Sequence, residues 1–447
     1  MTAFLTIAPM PVDFALTPGA AIKDPDAYAA FWRTVATRHD GLPLQFTHAT
    51  DVVRQPRYES LRSDAMDREL HVLHGDLTTS ELHLDLTRDL AELWGCVKQV
   101  RFWLYDHHLL LVELSGQAEE WLREEELTRR LDKLQRGLID LTERAARTIA
   151  TDVIQPTLAL AREKDQAAQF VEAAASTPPE PVPWWVARAL VVDPSSKQDQ
   201  AEAKHWLANS AEPDIVSEFL AGERTHVARW LNYAYRGVRH GNVTRLAPGL
   251  AEHWRAMRYS QYFYTALDQV DGRLNEVLTE TTTGLKRWEI DELSQRLRAL
   301  SHRAESVIMN LQGLRKYVTR DVLAEMNEVL AAWDYQQLIE EPVQYKTGVC
   351  ERRINDLNAD AQARAGTVTD VILLGIGVTS VLATALALTD FGRQMAADPD
   401  QAGFGSFSSG ITEWFAAQPA DAILIGSILI SALLVLLFLA VRRSQPS

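Results

Sequence analysis

Hydrophobic residues repeat with helical spacing over two long stretches of this chain. In both, apolar positions recur at alternating spacings of four and three residues, with charged residues between them. Such a heptad seam predicts a helix with one apolar face, here over about residues 118–151 and again over 293–318. The apolar positions are Leu127, Leu131, Leu134, Leu138, Leu141 and Ala145, and then Leu293, Leu297, Leu300, Ala304, Val307, Leu311, Leu314 and Val318.

Shorter apolar and aromatic runs indicate strands around these helices. Residues 100–105 and 109–114 flank the short polar turn 106–108, which predicts a β-hairpin. Residues 185–192 and 226–235 predict further strands. Together with the seams, this pattern predicts an α+β domain with long coiled-coil-like helices.

The last part of the chain has a different pattern. Two runs, 371–388 and 422–441, contain no charged residue. Because a helix needs about 20 apolar residues to cross a bilayer, we expect two C-terminal transmembrane α-helices. Pro342 predicts a break, after which one helix runs from about 343 to 390 and into the first span.

Basic residues flank the two runs on one side only. Arg393 is the one basic residue of the connecting loop. The positive-inside rule then places both termini in the cytoplasm of a two-pass inner-membrane protein. The basic flanking residues are Lys346, Arg352, Arg353, Arg364, Arg442 and Arg443.

These patterns divide the chain into a sequence of predicted parts. A cytoplasmic α/β domain precedes a helical neck, two spans and the loop between them. The divisions are 1–248 for the domain, with a helical excursion at about 118–175 and a proline-rich linker at 176–183, then 249–366 for the neck, 367–390 for the first span, 391–420 for the loop, and 421–447 for the second span and basic tail.

Composition excludes several function classes. The formal net charge of −15 argues against nucleic acid as a partner, since non-specific binding relies on Lys and Arg that neutralise phosphates. Cys96 and Cys350 lie far apart and form no metal-binding spacing. Phosphate-binding loops, nucleophile elbows and zinc-protease signatures do not occur, so we do not expect an enzyme. No cofactor is indicated, except a divalent metal ion as a transported or regulatory ion.

Small and polar residues of the first predicted span share one helical face. Asp370, Gly377, Ser380 and Thr384 fall within an arc of roughly 80°. One interpretation is a pore-lining face in a ring of such helices. The other is a packing face, where small residues allow close helix approach and hydroxyls bond back to their own helix.

The predicted layout resembles the CorA-type metal-ion transporter superfamily. It has a cytoplasmic α/β domain, a helical neck, a rod that enters a first membrane helix, and a second helix with a basic tail. The resemblance is strongest over about 250–447. It implies a homo-oligomer, a pentamer, with the first membrane helices around an ion path. It departs from the family at the Gly-Met-Asn motif, since residues 389–395 lack it.

Two hypotheses for function follow. The first is a CorA-like cation channel, gated by its cytoplasmic domain and distinct from a standard magnesium transporter. The second is a membrane-anchored signalling or defence effector whose cytoplasmic domain senses a ligand or partner. In the first case, acidic residues of the loop would attract cations near a pore entrance. These are Asp390, Asp398, Asp400 and Glu413.

Basic residues cluster at 236–245 in this otherwise acidic chain. We interpret Arg236, Arg239, His240 and Arg245 as a loop that grips a small anionic ligand. An ordinary turn between a strand and a helix is the alternative. His71 and His74, three residues apart, would share a face and bind a metal if they lay on a helix.

Overall fold

A computed structural model gives the fold of the chain as α+β. It divides the chain into two compact units, one of Met1–Thr281 with Leu293–Glu351, the other of Thr282–Glu292 with Arg352–Ser447. The residues described are 3–17, 23–37, 44–46, 70–118, 127–164, 166–175, 178–224, 226–229, 231–240, 243–246, 250–281, 285–315, 318–397, 414 and 417–444.

A nine-stranded sheet forms the centre of the first unit. Its strand order is β2-β3-β4-β5-β1-β6-β8-β7, with β9 paired to β8. All neighbours are antiparallel except β6 and β8, which run parallel. The strands are β1 Ala3–Pro11, β2 Leu44–Phe46, β3 Leu73–Leu77, β4 Val97–Tyr105, β5 Leu109–Gln117, β6 Ala187–Val192, β7 His226–Arg229, β8 Asn232–His240 and β9 Val243–Leu246.

The predicted hairpin is confirmed as β4 and β5. Tyr105 pairs with Leu109 across the three-residue turn. Within that turn, His107 and His108 have φ values of 69° and 63°. This left-handed conformation is uncommon for residues other than glycine, so the turn must be held by its surroundings. The Asp106 side chain helps by accepting hydrogen bonds from the backbone N–H groups of Leu16 and His107.

Helices cover one face of the sheet with an apolar seam. The heptad helix is confirmed as α3, which begins at Leu127 and continues into a π-helical turn. Its seam side chains from Leu131 to Leu141 are almost fully buried. The hydroxyls of Thr6 on β1 and Thr142 on α3 lie 2.9 Å apart. The helices of this region are α1 Pro25–Thr37, α2 Arg88–Trp94, α3 Leu127–Thr148, α4 Gln155–Arg162, α5 Ala167–Phe170, α6 Lys197–Leu207 and α7 Pro213–Ala221.

The opposite face of the sheet packs against a helix rich in aromatic residues. Tyr262 of this helix stacks on Tyr105 of β4 with ring centroids 4.5 Å apart. The Arg258 guanidinium lies 4.1 Å from the ring centroid of Trp103. This helix is α8, Leu250–Glu280. The helices that follow it are α9 Arg287–Leu314, α10 Arg320–Ala332, α11 Glu341–Ala397 and α12 Ala420–Ser444.

The helix expected after Pro342 is present as α11, with the proline in its first turn. A π-helical segment, Gln336–Glu340, precedes it. This segment runs directly into α11 without leaving the helical conformation. The break predicted at Pro342 is therefore wrong, because a local π-helical turn accommodates the N–H that proline lacks. The division of the chain into a domain, a neck, two spans and a loop stays a prediction.

The predicted pair of transmembrane helices is wrong. Over the part of the chain that the structure describes, no helix combines the length and the apolar content needed to cross a membrane. The α+β part of the predicted fold is retained. The finding contradicts the two spans, and with them the two-pass inner-membrane location with cytoplasmic termini and the ion transport inferred from the spans. An apolar run predicts a helix with an apolar surface, but it does not specify what covers that surface.

Many large apolar side chains of α11 and α12 are exposed within the second unit. Leu373, Ile376, Leu429 and Leu436 each have more than half of their surface accessible, with Leu429 at 64%. Exposed apolar side chains in such number are typical of an interaction surface.

Candidate metal centre

Three side chains converge where the edge strand β7 meets helix α10. His226 is the first residue of β7, and Glu325 and Glu328 lie three residues apart on one face of α10. One donor atom from each of the three lies within 4.8 Å of the other two. Such a set combines one imidazole nitrogen with two carboxylate oxygens.

The sequence explains why α10 presents a carboxylate to the protein interior. Thr319 caps the helix, with its hydroxyl accepting a hydrogen bond from the N–H of Val322. Val322, Met326 and Val329 are buried and define the apolar face of the helix. Glu325 lies three residues from Val322 and is 1% exposed. A carboxylate buried in this way requires a cationic or hydrogen-bonding partner.

His226 is that partner. Its Nε2 lies 2.5 Å from Oε2 of Glu325 and 3.5 Å from Oε2 of Glu328. His226 and Glu325 are buried, whereas Glu328 is about half exposed. The centre therefore has a buried side and one carboxylate that faces solvent, which gives an ion a route of entry.

Aromatic rings enclose the buried side. Tyr235 pairs with His226 across the β7–β8 ladder, and the two rings stack with centroids 6.0 Å apart. Trp254 meets Tyr235 edge-on at 5.7 Å. Burial raises the pKa of Tyr235 well above its usual value, and the charge of Glu325 adds to this effect. Tyr235 is therefore a neutral phenol at every physiological pH.

A second cation lies on the solvent side. Arg224 Nη1 is 2.8 Å from Oε1 of Glu328, and its Nε is 2.5 Å from Oε2 of Glu218 on α7. Gly222 ends α7 in the left-handed conformation, with φ of 83°, and turns the chain towards Arg224. Glu328 is thus shared between Arg224 and His226.

This environment determines the protonation of the centre. Burial by itself lowers the pKa of His226, but the hydrogen bonds and charges of Glu325 and Glu328 outweigh it and raise the pKa to about 9. The hydrogen bond from His226 lowers the pKa of Glu328. At neutral pH the ion-free centre therefore holds one proton on the imidazole, between two carboxylates.

The donor set fits a transition-metal ion better than magnesium or calcium. Zinc binds imidazole nitrogen and carboxylate oxygen at about 2.0–2.2 Å, which separates neighbouring ligand atoms by about 3.5 Å. The 3.5 Å distance from Nε2 of His226 to Oε2 of Glu328 already matches this separation. The 2.5 Å distance from Nε2 of His226 to Oε2 of Glu325 must increase by about 1 Å for an ion to bind. Magnesium and calcium prefer oxygen ligands alone.

The basic residues predicted to bind an anion do not lie in a loop. Arg236, Arg239 and His240 belong to β8, and Arg245 belongs to β9, which pairs with it. The Arg236 side chain is exposed and donates to the backbone carbonyl of Gly222 at 3.4 Å. The side chains of the other three lie outside the described part. The prediction of a loop is therefore wrong, and ligand binding there stays a prediction.

The residues predicted to line a pore all lie in α11. Gly377, Ser380 and Thr384 are exposed there, whereas the Asp370 side chain is not among those described. Thr384 donates to the carbonyl oxygen of Ser380 at 2.8 Å, as the packing alternative expects. Since the pore interpretation requires a membrane span, it is not carried further.

The remaining candidates are scattered. Asp390 is exposed within α11 rather than in a loop, and Asp398, Asp400 and Glu413 lie outside the described residues. His71 and His74 do come together, with Nε2 and Nδ1 3.0 Å apart, although they lie at the start of β3 and not on a helix.

Sequence patterns do not indicate the residues of the metal centre. His226 is separated from the two glutamates by about a hundred positions, and no metal-binding motif spans that distance. One signal was available: Glu325 interrupts the apolar face that Val322, Met326 and Val329 define on α10. A glutamate on an otherwise apolar helix face predicts a buried partner.

No protein-family model, curated protein or solved structure matches this chain. The resemblance to CorA-type transporters therefore stays a prediction.

Proposed function

We propose that this protein binds a divalent transition-metal ion, with zinc as the best match, through His226, Glu325 and Glu328. The convergence of one imidazole and two carboxylates on a partly buried centre is the observation that supports it. The three ligands come from an edge strand and from a helix about a hundred residues later, so a bound ion cross-links the two elements.

The chemistry of binding follows from the protonation state. A metal ion takes the lone pair of His226 Nε2, so the proton that the imidazole carries at neutral pH is released. The ion then replaces that proton between the two carboxylates. Because both elements are held by the ion, occupancy stabilises the folded protein in proportion to the logarithm of ion concentration.

Zinc titration of the purified protein tests this proposal. We expect one Zn²⁺ per chain by isothermal titration calorimetry at pH 7.5, with heat that varies with buffer ionisation because a proton is released. His226→Gln and Glu325→Gln should each weaken binding by more than about 10-fold. Mg²⁺ should not compete at equal concentration.

A matched control is available in the same unit. Glu113 is also a buried glutamate paired with a cation, Arg101, and among the described residues it forms no ion pair with a histidine. Glu113→Gln should leave zinc affinity unchanged. The proposal fails if wild-type protein binds no zinc, or if His226→Gln binds it as tightly as wild type does.

A further inference from the structure

Helices α8 and α9 form an antiparallel pair whose register is set by charged side chains. Arg296 Nη1 on α9 lies 2.5 Å from Oε2 of Glu280 on α8, and its Nη2 lies 3.9 Å from Oε2 of Glu276. Nearer the sheet, the Asn310 side chain lies within hydrogen-bonding reach of the Tyr262 hydroxyl. A residue a given number of positions before Glu280 on α8 therefore lies opposite the residue about the same number of positions after Arg296 on α9.

This register places two arginines opposite each other. Arg273 precedes Glu280 by seven residues, and Arg303 follows Arg296 by seven, so both lie about 10 Å further along the same helix faces. Two helical turns away, the equivalent positions hold Glu280 and Arg296, which form an ion pair. Here they hold two guanidinium groups, both half-buried.

No carboxylate of the described residues neutralises this pair by direct contact. Within that part of the chain, neither Arg273 nor Arg303 forms an ion pair or a hydrogen bond. Burial lowers the pKa of Arg273, and the charge of Arg303 lowers it further, in agreement with the register. Like charges this close destabilise a helix pair unless an anion lies between them.

The acidic groups near the pair are already engaged. Asp106 accepts hydrogen bonds from two backbone amides, as described above. Asp13 forms an ion pair with Arg162 at 3.1 Å and accepts from the N–H of Ala175. Glu172 is the remaining acid that acts on both arginines, and burial raises its pKa. Glu276 also acts on Arg273, but its Oε2 lies 3.9 Å from Nη2 of Arg296. The two cations therefore share Glu172, whose ionisation is disfavoured, and a carboxylate that another arginine already engages.

The left-handed turn of the β4–β5 hairpin lies at the same place. Burial lowers the pKa of His108 to about 3, and the charges of Arg303 and Arg273 contribute to the shift. The imidazole is therefore neutral at physiological pH. The N–H of His108 donates to the carbonyl of Phe14 at 2.7 Å, and its carbonyl accepts from the N–H of Val12, which fixes the turn.

We propose that Arg273 and Arg303 form a binding site for the phosphate group of a small-molecule ligand, beside the His107–His108 turn. Two guanidinium groups present planar, paired donors that match phosphate oxygens. A fixed neutral imidazole adjoins them without contributing charge. The site is separate from the metal centre and does not depend on it. A small anionic ligand therefore has a structural candidate away from the basic residues of β8 and β9.

The first test uses inorganic phosphate and pyrophosphate as probes. Both should raise the melting temperature of the full-length protein above that in NaCl of equal ionic strength, and calorimetry should show one site. Arg273→Gln and Arg303→Gln should each weaken binding by about 10-fold or more. Arg298→Gln removes the same charge from an exposed position of α9 and should leave affinity unchanged.

A charge reversal provides an independent test that does not rely on loss of binding alone. Arg303→Glu should pair with Arg273 as Glu280 pairs with Arg296, so it should raise the melting temperature in phosphate-free buffer and abolish the response to phosphate. Arg303→Lys keeps the charge without the planar fork, and should fold normally and bind phosphate more weakly.

Two results would overturn the proposal. One is an equal response to phosphate and to chloride at the same ionic strength. The other is undiminished phosphate binding by Arg303→Gln or, if that variant does not fold, by Arg303→Lys.

Discussion

Oε2 of Glu325 lies 2.5 Å from Nε2 of His226, so the buried face of α10 is tied to the first residue of an edge strand. An edge strand has one side of its backbone unpaired and depends on side-chain contacts to stay in place. In this protein an ion pair provides the contact, and the same atoms offer a ligand set for a metal.

The ion pair predicts a loss of stability at alkaline pH. The pKa of His226 rises from 6.5 to about 9 on folding, so pairing stabilises the protein fully below pH 6.5 and is lost as pH rises through 9. With EDTA present, urea unfolding should show wild type losing about 3 kcal/mol between pH 6 and pH 10 through this group. The double variant His226→Gln/Glu325→Gln should lack that part of the loss. An identical alkaline slope in both proteins would contradict the assignment.

Arg224 competes with a metal ion for Glu328. Its Nη1 lies 2.8 Å from Oε1 of that carboxylate. Arg224→Gln should therefore raise zinc affinity by up to about 5-fold, since an exposed ion pair contributes up to about 1 kcal/mol. A chromophoric zinc chelator in competition measures the change. Arg236→Gln, an exposed neighbour that contacts the Gly222 carbonyl, is the control and should bind as wild type does.

Gly116 is required by close packing within the sheet. A Cβ at this position would overlap the backbone oxygen of Cys96 and lie 2.5 Å from Cζ of Phe4. Gly116→Ala should lower the free energy of unfolding by about 3 kcal/mol or more. Gly272→Ala on α8, where no atom lies within 4 Å, should raise it by about 0.5–1 kcal/mol. Chemical denaturation measures both, and equal effects of the two substitutions would contradict the packing.

The hairpin turn predicts a loss of stability in acid. The pKa of His108 falls from 6.5 to about 3 on folding, so its contribution is complete above pH 6.5 and is lost as pH falls towards 3. His108→Asn retains a residue that tolerates positive φ and removes the titrating group. At pH 4 the variant should be more stable relative to wild type than at pH 7, by about 3 kcal/mol. Denaturation at both pH values checks this, and a constant difference would refute it.

The parts of the fold that could be predicted from sequence are those decided by local pattern. The β4–β5 hairpin follows from two apolar runs around Asp106, and α3 follows from its leucine seam. In both cases neighbouring residues decide the outcome. The strand expected at 185–192 is present as β6, although a linear pattern gives no indication that it pairs with β1.

The candidate sites could not be predicted in the same way. His226 and Glu325 meet only because β7 is an edge strand against which α10 packs, a relationship that no local pattern contains. Arg273 and Arg303 become significant only once the register of α8 and α9 is known. The apolar runs near the C-terminus show the opposite case, because a strong local signal specifies a helix but not its surroundings.

The position of β1 has a consequence for synthesis of the chain. Ala3 pairs with Gln117 on one side and with Val191 on the other. Strand β1 is therefore translated before both of its partners and completes its ladder only once residues 187–191 have been translated. Until then one edge of a largely apolar strand stays open to wrong partners. A nascent chain arrested before residue 187 should require chaperone protection that a chain arrested after residue 240 does not.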